Sequence, residues 1–138
     1  MSTYGDILSI NLTTQLVSRE PLAESVVRQY LGGRGLNAWQ MQQLADPAID
    51  PLSPQNVLLL STGLLTGSVA PASARAQFAA RSPQTGLLGA SNVGGHFGAA
   101  LRQSGIAMLR VTGRAQTPVS VWIEGEQITI RDAAHLWG

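Results

Sequence analysis

Five consecutive residues without a charge, Val57-Leu58-Leu59-Leu60-Ser61, read as a strand buried on both faces. Such a strand is stable only with other elements packed against it, and the flanking sequence supplies them. Ile7-Leu8-Ser9-Ile10-Asn11-Leu12 alternates and is rich in strand formers; Thr13-Thr14-Gln15 turns the chain into Leu16-Val17-Ser18, a hairpin. Pro21 suits the first position of a helix. Leu22, Val26, Val27, Tyr30 and Leu31 follow at helical spacing until Gly32-Gly33 ends the run. A second helix is expected after Arg34-Gly35, carrying Leu36, Trp39 and Leu44 and closing at Asp46-Pro47.

Beyond the loop Pro51-Leu52-Ser53-Pro54 and the apolar run, Ala76 to Ala80 forms a further strand. Ser82-Pro83-Gln84-Thr85-Gly86 is a turn, and His96 to Ser104 a short helix closed by Gly105. The end is β: Met108 to Val111, Val119 to Ile123, a turn at Glu124-Gly125-Glu126, then Gln127 to Ile130. The class is α+β, with hairpins and few helices, and 138 residues fit one domain spanning 1–138.

Charge is scarce and unevenly placed. All nine basic residues are arginine, whose planar fork suits phosphate, although genome composition alone accounts for such a bias. No carboxylate side chain occurs between Pro51 and Ile123, where Arg75, Arg81, Arg102, Arg110 and Arg114 all fall. A surface built from that segment would favour an anion; arginines scattered over unrelated faces fit the charge pattern equally well. A net charge of +1 gives no global field for nucleic acid. The absence of cysteine excludes thiolate metal sites and Fe–S ligands from these residues. Met1-Ser2-Thr3-Tyr4-Gly5-Asp6 lacks signal-peptide regions, and the apolar runs are too short for a bilayer, so a cytoplasmic protein without membrane contact is expected.

Two loops could hold a ligand. Asn92-Val93-Gly94-Gly95 leads into a helix, whose first turn leaves N–H groups free for an anion. The glycines permit close approach, and Asn92 could cap the turn or offer its carbonyl oxygen to a hard cation. A glycine-rich turn without ligand is the competing reading. Gly63 to Arg75 is rich in small residues and ends in a guanidinium; ligand space and tight backbone packing explain it equally. Gly32-Gly33-Arg34-Gly35 follows a helix rather than a strand and lacks dinucleotide spacing, so Arg34 reads as structural or interfacial. His96 and His135 are isolated, and there is neither a metal cluster nor a nucleophile elbow. Trp39, Trp122 and Trp137 read as core or interface anchors.

Taken in order, the motifs resemble the N-terminal domain of the aldehyde:ferredoxin oxidoreductase (tungstopterin oxidoreductase) family. They are Gly5–Thr14, Tyr30–Leu36, Pro51–Asn56, Thr62–Gly67, Arg81–Gly86, Asn92–Gly98 and Ala134–Gly138. The resemblance implies two β-sheet layers forming a base for a tungsten (or molybdenum) bis-pterin cofactor. A magnesium ion would bridge the pterin phosphates, and a 4Fe-4S cluster would lie in the remainder of the enzyme. It implies cofactor contacts for Arg75, Asn92, Gly94 and Gly95, with Asn92 also a magnesium ligand, and no catalytic residue in this chain. It further implies oxidation of aldehydes to carboxylic acids with ferredoxin as acceptor, the rest of the oxidoreductase or a large subunit as partner, and leaves a homodimer open. A non-catalytic binding or assembly subunit, or an inactive gene fragment, is the alternative. Ser73-Ala74 stands where the family often has two glycines, and the chain stops at Gly138 before the second phosphate loop, so an incomplete domain, inactive alone, is expected.

Overall fold

A computed structural model describes residues 4–44 and 46–138 of the chain; the start of the N-terminal segment read above, Met1 to Thr3, lies outside them. Eight strands and three α-helices follow in the order β1 (Asp6–Asn11), β2 (Leu16–Pro21), α1 (Glu24–Tyr30), α2 (Gly33–Leu44), β3 (Leu58–Thr62), β4 (Ala76–Arg81), β5 (Leu88–Val93), α3 (Phe97–Gln103), β6 (Ile106–Thr112), β7 (Val119–Glu124) and β8 (Gln127–Asp132). The first six strands to close form one sheet of order β2-β1-β6-β3-β4-β5, and β7-β8 form a separate two-stranded sheet. Only β1 and β6 run parallel; the other pairs are antiparallel. The α+β class with two sheets thus stands.

The apolar run near residue 57 does lie in the middle of the large sheet. Leu59 and Leu60 point to opposite faces, exposed by 0% and 2%, and each belongs to a different core. On one face Leu59, Ile7, Ala79 and Met108 meet Leu22 of the link after β2 and Val27, Leu36 and Met41 of the helices. On the other, Leu8, Ile10, Leu60 and Ala76 meet Leu101 of α3, with Val121, Ile123, Ile128 and Ile130 of the β7-β8 hairpin lying over them. Each buried Leu or Ile contributes roughly 1.5–3 kcal/mol against exposure. No helix among the described residues is long and apolar enough to cross a membrane.

The three main differences from the sequence reading are these. Pro21 ends β2 instead of opening α1; β2 is an edge strand, where a missing N–H costs little. The second helix starts at Gly33, three residues early. Leu31, Gly32 and Gly33 all take positive φ there, which reverses the chain within one step of α1. A Cβ on Gly32 would stand 2.7 Å from the Thr62 carbonyl oxygen, so the glycine is demanded by contact as well as by φ. Finally, the stretch approaching the third helix is mostly strand: Leu88–Val93 pairs with β4 along its whole length.

Candidate functional site

The antiparallel register of β4 and β5 sets Ala76 opposite Val93 and Gln77 opposite Asn92. Arg75 immediately precedes β4, and Gly94-Gly95 immediately follow β5, so all four residues singled out from sequence stand at one end of this ladder. Asn92, Gly94, Gly95 and Arg75 are exposed. A Cβ built on Gly94 or Gly95 would meet nothing within 4 Å. The corner is therefore open, side-chain-free surface, and a bulky group could reach its main-chain amides. Gly95 has φ +79°, a conformation side chains rarely adopt.

The floor beneath the corner is fixed by the helical layer. Gln77 also pairs with Ser61 of β3, and the Ser61 hydroxyl donates to the Gly33 carbonyl at 2.7 Å. The Asn37 amide of α2 donates to the Gln77 main-chain carbonyl at 2.9 Å. The first turn of α2 thereby lies over Gln77; a Cβ on Gly33 would stand 3.5 Å from Gln77 Cγ. Two amide oxygens in this region, Asn37 Oδ1 and Gln77 Oε1, are buried without a hydrogen-bond partner. The wall on the other side is α3, where Gly98 packs against Ala74 and Ala76.

The arginines do not gather into one positive face. Arg81 donates to the carbonyls of Gly86 and Ile49 at 3.0 and 2.7 Å, clamping two loops at the far end of the β4-β5 hairpin. Arg110 reaches Ser9 and Glu20. Arg102 donates to the Tyr4 carbonyl, and burial lowers its pKa from the ordinary guanidinium value. The Arg75 side chain, by contrast, makes no hydrogen bond or ion pair to any described residue. A guanidinium left unpaired beside an open glycine turn is suited to an anion.

The cap reading of Asn92 changes. Asn92 is no helix cap: it lies within β5, and α3 is preceded by His96, which makes no side-chain cap. A strand position sends its amide outward beside Gln77 instead. His96 and His135 are exposed, and no group of three potential metal-binding side chains occurs among the described residues. Trp39 packs on the helical core beside Tyr30, at 6.1 Å between ring centroids. Trp122 is half exposed under the Arg131 guanidinium, and Trp137 is exposed. Gln77 and Asn37 escaped the sequence reading; nothing local marks them, because their significance comes from β-register and from α2 lying overhead.

The large sheet is mixed, and the end of its β4-β5 ladder carries an open corner suited to an anion. Residues 7–138 match the family described as aldehyde ferredoxin oxidoreductase, N-terminal domain, and the chain belongs to that family. It is 40% identical over 135 residues to the tungsten-containing aldehyde ferredoxin oxidoreductase of Pyrococcus furiosus, covering 98% of this chain and 22% of that protein. The aliphatic sulfonate oxidoreductase WOR-like subunit of the same organism is 31% identical over 137 residues, with 97% and 22% covered. Among solved structures, the active site complex BamBC of benzoyl coenzyme A reductase with 1,5-dienoyl-CoA superposes with a TM-score of 0.93 at 32% identity, covering 96% of this chain and 20% of that one. The chain thus spans about a fifth of the length of these relatives.

Proposed function

We propose that the chain is the cofactor-binding N-terminal portion of a tungsten (or molybdenum) bis-pterin oxidoreductase that converts aldehydes to carboxylic acids. The observation carrying this reading is the unpaired Arg75 guanidinium at the same strand end as Asn92 and the bare Gly94-Gly95 turn. The donor set fits a phosphorylated metal–pterin. Arg75 supplies a planar fork for an anionic oxygen, the glycine turn offers main-chain N–H groups, and the Asn92 carbonyl suits a hard cation such as magnesium. When bound, that group supplies the redox chemistry; these residues bind and orient it. Dithiolene sulfurs of the cofactor would hold the metal, consistent with a cysteine-free chain.

On this reading the rest of the enzyme provides the 4Fe-4S cluster, the acid–base groups and the docking surface for ferredoxin. The work is done in the cytoplasm, by one polypeptide, by a complex with a large subunit or by a homodimer of either. The aldehyde assignment rests on the 40%-identical relatives, since the same domain also accompanies sulfonate and benzoyl-CoA chemistry.

Co-expression of the chain with the remainder of a family member, in tungstate-supplemented medium, tests the reading through tungsten content by elemental analysis and pterin content by fluorescence after oxidation. Arg75→Ala and Asn92→Ala should each lower retention. A charge-assisted contact contributes roughly 1.5–3 kcal/mol, about 10- to 150-fold in affinity. Parental retention in both variants would refute the site.

A further inference from the structure

Gln77 has an unusual position for a residue with a long polar side chain. It sits on β4, between β5 and β3, opposite Asn92 on one side and Ser61 on the other. Its Cγ lies beneath Gly33, 3.5 Å from where a Cβ on that glycine would stand, an ordinary packing distance. Its Oε1 is sealed from solvent and accepts nothing. Native proteins rarely leave a buried carbonyl oxygen unpaired, and such an atom asks what completes it. Asn37 does not: its Nδ2 is committed to the Gln77 main-chain oxygen. Its own Oδ1 is a second acceptor in the same condition, and two acceptors cannot satisfy each other.

Building on the cofactor site assigned above, we propose that Gln77 is a further binding residue of that site, its side-chain carbonyl accepting a hydrogen bond from a donor on the bound group. The geometry favours this over a purely structural role. In a β-ladder, residues directly opposite on neighbouring strands share a face with Cβ atoms about 5 Å apart, so Gln77 shares the face of Asn92. Rotation about the outer torsions of Gln77, which are soft, swings Oε1 from beneath Gly33 toward Asn92. The buried position forfeits a hydrogen bond, so the carbonyl loses nothing by turning outward. An amide oxygen cannot serve a phosphate oxygen, since both are acceptors. The matching donors on a phosphorylated metal–pterin are a ring N–H or a water held by its divalent cation.

Gln77→Met keeps the length of the side chain and removes the acceptor. In the co-expressed enzyme, retention of tungsten and pterin should fall by roughly three- to tenfold, the value of one neutral hydrogen bond. Thermal unfolding of the cofactor-free preparation should be unchanged or shifted upward, because an unpaired buried oxygen has been removed. Those opposite signs separate ligand binding from structural support. Repeating the retention measurement in EDTA separates the two donors: the deficit persists for a ring N–H and disappears for a cation-held water. Parental retention in Gln77→Met, or a loss accompanied by a matching drop in melting temperature, overturns the proposal. Arg75→Ala in the same series tells its failure from that of the site: if Arg75→Ala loses cofactor and Gln77→Met does not, only the role of Gln77 is withdrawn.

Discussion

Gly98 lies so close to Ala74 that a methyl group on the glycine would stand 2.8 Å from the Ala74 carbonyl oxygen, and 3.2 Å from the Ala76 nitrogen. This contact seats α3 on the start of β4, next to Arg75. The obstructing atoms are backbone, so they cannot rotate away. Gly98→Ala is therefore expected to destabilise the chain by about 1–3 kcal/mol, the usual range for overpacking. Urea unfolding measures it, and an unchanged midpoint would show that α3 shifts freely.

Ser61 Oγ is fully buried and bonds the Gly33 carbonyl. Ser61→Ala removes a link between the central strand and the helical layer without adding bulk. Loss of about 1 kcal/mol is expected from equilibrium unfolding.

Asp6 and Arg19 form the best-sheltered ion pair among the described residues, at 2.6 Å with side chains 11% and 21% exposed. Arg19 also donates to the Ser104 carbonyl, and its NH1 is buried without a partner. Asp6→Ala strands that guanidinium and should cost about 3 kcal/mol, the lower end for a broken buried pair. Arg28→Ala, which breaks the exposed pair with Glu24, should stay within about 0.5 kcal/mol. Equal losses in the two variants, measured by denaturant unfolding, would contradict this account.

Arg81 offers a control for the site. Its guanidinium ties the carbonyls of Ile49 and Gly86 together at the hairpin end remote from Arg75. Arg81→Ala should loosen both loops, seen as faster hydrogen exchange and proteolysis there, while cofactor retention in the co-expressed enzyme stays near the parental level.

Most elements could be read in the sequence because they obey local rules. The β1-β2 hairpin, the turn after β4 and the β7-β8 hairpin carry their alternation and turn residues openly. Pro21 misled because the same ring that suits a helix start also suits the end of an edge strand. Leu88–Val93 was hidden by Gly89, Ala90, Ser91 and Asn92, none of which favours strands; pairing with β4 overrides that weak preference. The site was legible only as types of residue. Arg75, Asn92 and the two glycines suggested an anion, but a register was needed to bring residue 75 beside residue 94. The run of five arginines was less informative than it looked, since Arg81, Arg102 and Arg110 are spent on carbonyls and carboxylates.

The parallel pairing of β1 with β6 has a consequence for how the molecule is made. Ser9 and Arg110 touch across 101 positions, so β1 waits beside its hairpin partner until about a hundred further residues have left the ribosome. Closing so wide a loop is slow. During that interval the inner edge of β1 and the matching edge of β3 are both bare, and the nascent chain is most vulnerable to joining a neighbour just before its sixth strand arrives.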